Sequence, residues 1–465
     1  MFRIYRLLEY IQDKGHPTTT LMKPFKFFLA ASLAFISYAS AFADRELSLS
    51  RDECIAIALD NSPTVKIADI EVKKSDYSKK ETLASLFPQI DFQLAYQRSI
   101  ELQTIRMDFG GASQKLKMGS DNSWNTGFSA SLPLLAPSLW KAIHISDTQI
   151  LQNLESARAS RIDLIQNVSK AYYGLMLAIA SRDVLRQQYD ISKYNADIYQ
   201  KQFDQGTASE YDVLRSSVQV KNLEPELLQA DISVKQCQLQ LMVLMGLEQG
   251  NLVIPSSDLE DLQAAMRLRS ESEYSLEGNS SLRSLDLQAK MARQNTTLKK
   301  FAFLPTLGAS FNINWSSLSN GNPFRNQEFY PYCNVGLALS LPIFSGGARY
   351  NAVRQAKATE TELTFQRENL ESSLNMQLRL ALDNINLNAK QIDSSREGMG
   401  QAKKANEIMQ KSFEIGAASY LELRDSELAN TSARLTYLQS IYNYLVSVAD
   451  LDALTGAEGS FEPAR

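Results

Sequence analysis

The side chains best suited to nucleophilic or metal chemistry are scarce in this sequence. Its three cysteines, Cys54, Cys237 and Cys333, are odd in number and widely scattered. This pattern predicts neither a disulfide framework nor a zinc site with closely spaced ligands. The two histidines are His16 and His144, and His16 lies in a segment that we expect to be removed. Histidine-based catalysis and metal binding are therefore not predicted.

Motifs for binding phosphates and nucleotides are also absent from the sequence. It has no P-loop, no glycine-rich dinucleotide turn and no Ser/His/Asp set with a usable histidine. The net charge of −4 gives no general electrostatic reason to bind nucleic acid. We predict that the chain is not an enzyme, needs no cofactor and has no nucleic-acid partner. Scattered carboxylates keep an acid–base enzyme as a minor alternative.

The N-terminal segment resembles an export signal. Two lysines precede an apolar run over 27–38, which is followed by Ala-Phe-Ala at 41–43. The run is too short to span a bilayer comfortably, and the pattern is typical of a cleaved signal peptide. We therefore predict that 1–43 is an upstream extension plus signal peptide, with Met22 as a second candidate start. A retained membrane anchor is the alternative.

The remainder of the chain reads as a duplication. The segment around Gly206 recurs around Gly416, and Ser-Leu-Pro at Pro133 recurs at Pro342 with almost the same spacing. Each half has one order: helix, strand pair, very long helix, glycine turn, returning helix. We predict repeats over 44–250 and 251–465, the second with a C-terminal tail. The first helix is predicted to run from the capping pattern at Ser50 to about Leu86.

Four short segments alternate strictly between apolar and small polar residues. They cover 90–97, 124–132, 306–315 and 334–341. Period two predicts strands with one apolar face, and a second face of Gly, Ser, Asn and Gln is typical of a membrane-barrel lumen. The half-buried sheet of a soluble protein is the alternative. Aromatic residues near the strand ends are candidates for an interfacial girdle: Tyr96, Trp124, Trp315, Tyr330 and Tyr332.

Four strands cannot close a barrel, and lipid does not tolerate open sheet edges. Two copies would give eight strands around a packed interior, and three would give twelve around a conduit. Long helical segments follow each strand pair, over 138–204 and 348–415, and reach roughly 100 Å at 1.5 Å per residue. Their apolar seams are those of a coiled coil. A soluble antiparallel scaffold would have the same seams.

Three further segments complete the predicted architecture. Residues near 98–122 and 316–331 are predicted to be extracellular hairpin loops, and about 247–278 an irregular belt around the tunnel. Pro225 lies on the outward side of the returning helix, where it favours a kink.

Several motifs resemble those of TolC-like outer-membrane efflux proteins, also called outer membrane factors. They are the segment 49–63, the junction Leu-Pro-Ile-Phe-Ser-Gly-Gly at 341–347, and the turns at Gly206 and Gly416. The resemblance covers 44–456. It implies a mixed fold: a homotrimer with a twelve-stranded outer-membrane β-barrel, four strands from each protomer, continued by a long α-helical coiled-coil tunnel across the periplasm.

The same resemblance implies the functional residues. Acidic residues just after the second turn would ring a periplasmic aperture, and Glu422 and Asp425 occupy the matching positions. In the first half Asp212 matches Glu422, whereas Arg215 replaces the second acid. Ala418 stands where a gating arginine can occur in the family. A solvated helix face is the alternative for these acids.

The hairpin tips would face a periplasmic adaptor protein. They comprise Gln205, Gly206 and Thr207 in the first half and Ile415, Gly416 and Ala417 in the second. The resemblance thus implies the exit duct of a tripartite system, conducting small molecules from an inner-membrane transporter and its adaptor through outer-membrane lipid. A duct for type I protein secretion and a soluble periplasmic scaffold or adaptor are the alternatives.

Overall fold

The computed structural model describes residues 45–109, 112–247, 251–325 and 327–457. The predicted signal peptide over 1–43 lies outside these residues. The first half contains these elements in chain order: β1 (Arg45–Leu49), α1 (Arg51–Asn61), α2 (Pro63–Ala84), β2 (Gln89–Arg98), β3 (Gln103–Phe109), β4 (Ala112–Met118), β5 (Asn122–Leu135), α3 (Pro137–Asp204) and α4 (Glu210–Met245).

The second half repeats this order without the β3–β4 pair and with two 3-10 turns in place of α1. Its elements are β6 (Asn251–Pro255), two 3-10 turns (Leu259–Ala265 and Glu271–Glu273), α5 (Ser280–Phe301), β7 (Thr306–Ser319), β8 (Tyr330–Ser340), α6 (Ala348–Glu414) and α7 (Tyr420–Thr455). The long helices begin and end within one residue of the predicted limits.

The prediction of one helix from Ser50 to about Leu86 is wrong. Its start is confirmed, because the hydroxyl of Ser50 and the carboxylate of Glu53 form a reciprocal capping box. The segment then divides into α1 and α2 at Ser62, whose backbone is extended (φ −57°, ψ 128°). Pro63 follows at the first position of α2. A proline disfavours helical geometry at the preceding residue, which explains the break.

The four alternating segments form one antiparallel sheet in the order β2-β5-β7-β8. β5 and β7 join the two halves, and β2 and β8 are the open edges. The loop predictions need correction. The segment 98–122 contains the separate antiparallel hairpin β3–β4. Because β7 and β8 continue beyond the predicted limits, the second connection is confined to 320–329.

The helical seams supply the core. Val168 and Leu175 of α3 are completely buried, as are Ile441 and Tyr444 of α7. Burying a large apolar side chain contributes roughly 1.5–3 kcal/mol, so these seams hold the four long helices together. α4 continues through Pro225, which is exposed as the heptad predicts. Among the described helices, none is long and apolar enough to cross a membrane.

A second sheet lies within the belt. β1 and β6 pair in parallel, from Arg45 beside Asn251 to Leu49 beside Pro255. The hydroxyl of Tyr172 donates to the backbone carbonyl of Leu49 at 3.1 Å, which ties this sheet to α3. Neither strand is predicted from the sequence. A parallel pair between distant five-residue segments leaves no local alternation or turn signal.

Candidate functional site

Each helical hairpin turns through the same structure. α3 ends before Gly206, which has φ +74° and whose N–H donates to Phe203 O at 2.9 Å. The N–H of Thr207 donates to Gln202 O at 2.8 Å, which completes a Schellman motif. A Cβ at Gly206 would meet nothing within 4 Å. Glycine is therefore favoured here by the left-handed backbone conformation rather than by crowding.

The second tip repeats this geometry. Gly416 has φ +76° and donates to Phe413 O at 3.0 Å, and Ala417 donates to Ser412 O at 2.8 Å. The predicted tip residues are all exposed in the protomer, and 81% of the Ile415 side chain is accessible. An apolar side chain this exposed at a turn leaves a surface free for a partner.

Two of the predicted aperture acids cap the returning helices. The Asp212 carboxylate accepts from the Ser209 hydroxyl at 2.6 Å, and Glu422 accepts from the Ser419 hydroxyl at 2.8 Å and from its N–H at 2.7 Å. Capping therefore explains an acidic residue at both positions. The backbone and hydroxyl hydrogen bonds from Ser419 lower the pKa of Glu422 below its ordinary value. Asp425, one turn further on, is exposed.

The two tips lie together at one end of the protomer. The ring of Tyr199, from α3, lies 5.1 Å from that of Tyr420 and 6.3 Å from that of Phe413. Burial raises the pKa of Tyr199 to about 12. The guanidinium of Arg215 stacks 5.7 Å above the Tyr420 ring. This geometry brings Asp212, Glu422 and Asp425 to the same end of the molecule.

This aromatic contact is not predicted from the sequence. Tyr199 and Tyr420 are not equivalent positions in the two repeats, so the duplication gives no hint of it. Arg215 did carry a signal, because it stands where the second half has Asp425. The contact of Arg215 with Tyr420 explains why the first half has an arginine here instead of an acid: the arginine makes a cation–π interaction between the two hairpins.

A buried carboxyl group lies between α3 and α7. Glu427 is 5% exposed, and its Oε1 accepts from Asn195 Nδ2 at 3.2 Å. Gln188 also bonds Glu427 and in turn accepts from the Thr431 hydroxyl at 2.7 Å. Burial raises the pKa of Glu427 above its ordinary value, and these amide donors only partly offset it.

Glu427→Gln is expected to stabilise the protein at neutral pH. Because the pKa of this carboxyl is raised in the folded state, the native protein binds more protons than the unfolded chain above the ordinary carboxyl range. The contribution of this carboxyl to the free energy of unfolding is therefore fully present at low pH and is lost as pH rises through the raised pKa. The amide keeps an acceptor oxygen for Asn195 without the charge. Thermal unfolding should show a midpoint a few degrees higher at pH 7.

The matched control for this substitution is Glu407→Gln, which removes an exposed carboxylate from α6. It should leave the midpoint unchanged. At pH 4 the Glu427→Gln variant and the parent should converge. A lower midpoint for Glu427→Gln at pH 7 would contradict this account of the buried network.

The register of the sheet separates its two faces. Phe92, Phe128, Ile313 and Cys333 are consecutive cross-strand partners and share one face. The neighbouring row lies on the other face: Asp91, Ser129, Asn312 and Asn334. The apolar face is open in the protomer; for example, Val335 is 76% exposed. Such a surface needs lipid or another apolar cover.

The predicted aromatic girdle is only partly on the apolar face. Tyr96 and Trp124 are cross-strand partners with ring centroids 4.6 Å apart, and Trp315 shares their face. Tyr330 and Tyr332 pair with Ser316 and Asn314 and therefore lie on the polar face. This register argues against a place for these two tyrosines in a lipid-facing girdle. Both tyrosines lie an even number of positions from Asn334, so strand alternation alone places them on the same polar face as that residue.

Phe324 joins the aromatic group from the β7–β8 connection. Its ring centroid lies 5.8 Å from that of Trp124. The indole N–H of Trp124 donates to Pro323 O at 3.0 Å, which holds the connection against the sheet. Phe324 is not among the predicted girdle residues, because it lies in an irregular segment without alternation.

Comparisons with known proteins agree with this geometry. The family model described as outer membrane efflux protein matches residues 54–247 and 272–457, one segment in each half. The chain is 24% identical over 412 residues to the alkaline protease secretion protein AprF of Pseudomonas aeruginosa, covering 86% of this chain and 83% of that protein. It is 22% identical to the outer membrane protein TolC of Escherichia coli over 74% of both chains.

The fold is also found among solved structures. The outer membrane channel CmeC of Campylobacter jejuni superposes with a TM-score of 0.69 at 16% identity. The match covers 96% of this chain and 90% of CmeC. The arrangement of long helices and four antiparallel strands is therefore that of an outer membrane channel.

Proposed function

Because the chain belongs to the outer membrane efflux protein family, we propose that it is the exit duct of a tripartite export system. The family makes it an outer-membrane channel rather than an enzyme. The observation that carries the proposal is the combination of an apolar-faced sheet with open edges and two helices of 68 and 67 residues, each paired with a returning helix. A sheet that faces lipid needs neighbours at both edges, and helices of this length can reach across the periplasm.

A homotrimer supplies those neighbours. In it, the β2 edge of one protomer pairs with the β8 edge of the next, which closes twelve strands around a conduit. Tyr96, Trp124 and Trp315 form the girdle on the lipid-facing side. The repeat limits 44–250 and 251–465 belong to the same proposal, and they are supported by the start of β6 at Asn251.

The hairpin tips are the docking surface for a periplasmic adaptor. Support comes from the exposed Gly206 and Gly416 turns and from Ile415 beside them. Energy for transport comes from an inner-membrane transporter, since the chain has no nucleotide-binding motif. Glu422, Asp425 and Asp212 line the aperture at this end, and three copies of each concentrate negative charge there.

Small toxic molecules are the proposed cargo. The family description names efflux, and the small-molecule cargo is our proposal by analogy with efflux systems. A second candidate is secretion of a protein, which is supported by the similarity to AprF, named for alkaline protease secretion. Efflux and protein secretion differ in the inner-membrane partner rather than in the duct. Deleting the gene distinguishes them, because the host loses either drug resistance or a secreted protein.

The test is complementation of a deletion strain. Loss of the gene should increase drug sensitivity, and the parent chain should restore resistance. Gly206→Val and Gly416→Val should restore it less well, because a β-branched residue at positive φ costs about 1–2 kcal/mol and distorts the tip. Both variants should still be trimers by the mass of the detergent-extracted protein, with bound detergent subtracted.

Gly206→Asn and Gly416→Asn are the matched controls, since asparagine tolerates left-handed backbone. They should restore resistance fully. Full resistance in both valine variants would refute adaptor docking at the tips. Unchanged drug sensitivity on deletion, together with loss of a secreted protein, would favour the second candidate. A detergent-independent monomer or dimer in the periplasm would refute the duct itself.

A further inference from the structure

The β3–β4 hairpin is an insertion at the end of the sheet that lies away from the long helices. It connects the end of β2 at Arg98 to the start of β5 at Asn122. The other end of β5 leads directly into α3. Since family membership puts the helices in the periplasm, the hairpin lies at the outer surface of the membrane.

One face of this hairpin is basic. Arg106 is the direct cross-strand partner of Lys115, and Lys117 pairs with Thr104 on the same face. All three cations are exposed, and none has an ion-pair partner among the described residues. Like charges directly opposite each other destabilise a strand pair, so this arrangement favours a bound anion.

The other face of the hairpin is largely apolar. Ile105 pairs with Leu116, and Met118 pairs with Gln103. Leu116 is 53% and Met118 48% exposed. An isolated two-stranded hairpin is marginally stable in water, so a covered apolar face would add stability that the hairpin lacks by itself. An apolar face opposite a basic face is the pattern of segments that lie in a membrane interface.

A fourth cation lies where the sheet meets this hairpin. Arg98 shares the apolar face with Tyr96, one pleat further from the helices. It is exposed, and it has no ion pair in the described residues. Glu101 and Asp121 are the nearby acids in the connecting segments. A cation just outside an aromatic belt is at the level of lipid head groups.

We propose that the basic face of the β3–β4 hairpin binds the phosphate groups of the outer-leaflet glycolipid, lipopolysaccharide. A phosphate between Arg106 and Lys115 would remove their mutual repulsion by charge-assisted hydrogen bonds. The apolar face would rest against the acyl-chain boundary. This inference depends on the outer-membrane placement of the sheet but not on the cargo or the adaptor.

The test uses the detergent-purified trimer of the full mature chain, titrated with purified lipopolysaccharide. The parent and the triple variant Arg106→Gln, Lys115→Gln, Lys117→Gln are compared by native mass spectrometry. Each cation near an anionic lipid surface contributes about fivefold in affinity, so the triple variant should bind on the order of a hundredfold more weakly. Enzymatically dephosphorylated lipopolysaccharide should bind the parent as weakly as intact lipopolysaccharide binds the variant.

Two controls separate charge from folding. Lys357→Gln, Lys403→Gln and Lys404→Gln together remove the same charge from exposed positions of α6 and should leave the affinity unchanged. The charge-preserving set Arg106→Lys, Lys115→Arg, Lys117→Arg should bind like the parent. Equal affinity of the parent and the glutamine variant, or equal weakening in the α6 control, would overturn the proposal. In that case the face would be open to a protein partner. Drug resistance of the glutamine variant reports on the duct separately.

Discussion

Leu337→Arg is expected to remove the trimer from the outer membrane, whereas Ala338→Arg beside it is expected to be tolerated. Leu337 lies near the middle of β8, is 71% exposed and shares the apolar face with Val335. An arginine that faces lipid near the bilayer midplane costs roughly 2–4 kcal/mol per site. Every trimer carries three such sites, so the total cost is comparable to the stability of a whole domain.

Ala338 provides the matched control because consecutive strand residues point to opposite faces. It is exposed and pairs with Gly308 on the polar face, where a long cation can reach water. The measurement is the amount of detergent-extracted trimer in purified outer membranes. Equal amounts of the two variants would show that the apolar face does not meet lipid. Loss of the Ala338→Arg trimer alone would mean that the two faces have been exchanged.

The features that the sequence predicted well are periodic or repeated. Strict alternation predicted the four strands, and uninterrupted seams predicted α3 and α6 to within a residue. The duplication predicted a turn at Gly416 equivalent to the turn at Gly206, and both tips have the same Schellman geometry. In each case many residues follow the same pattern, so one residue that departs from it does not change the prediction.

The features that the sequence missed depend on contacts between distant segments. β1 and β6 pair across about two hundred residues, and the buried Glu427 receives its partners from another helix. The contact of Tyr199 with Tyr420 joins the two hairpins through residues that are not equivalent positions in the two repeats. Chemistry at such places is decided by packing, which no window of sequence records. The proposed aperture acids were predicted from the sequence, but their role was not. Helix capping and a charged pore both favour an acidic residue at Glu422, so the residue type does not distinguish them.

That ambiguity can be resolved at Glu422, where a substitution can separate the two roles. Glutamine also serves at this position of a capping box, so Glu422→Gln keeps the bond to Ser419 while removing the charge. Asp425 is exposed and has no capping role. If the two acids are only solvated residues on a helix face, their charge should not affect ions that pass through the channel.

The double variant Glu422→Gln, Asp425→Asn is expected to lose most of the channel's cation preference. Six carboxylates per trimer would disappear from the proposed aperture, and charged rings in a channel set its ion selectivity. The measurement is the reversal potential of single channels in a salt gradient. The difference from the parent should be larger at about 0.01 M salt than at about 0.1 M, since the screening length falls from roughly 30 to 10 Å.

Acid pH and a distant charge pair provide the controls for this experiment. Because the pKa of Glu422 is lowered, the Asp425→Asn single variant should keep part of its cation preference at pH values where ordinary glutamates are protonated. The double variant Glu368→Gln, Glu397→Gln removes the same charge from exposed positions of α6 that lie away from the hairpin tip. It should leave the reversal potential unchanged. An unaltered reversal potential in the double variant would assign Glu422 to helix capping alone and would move the selectivity of the duct away from its tips.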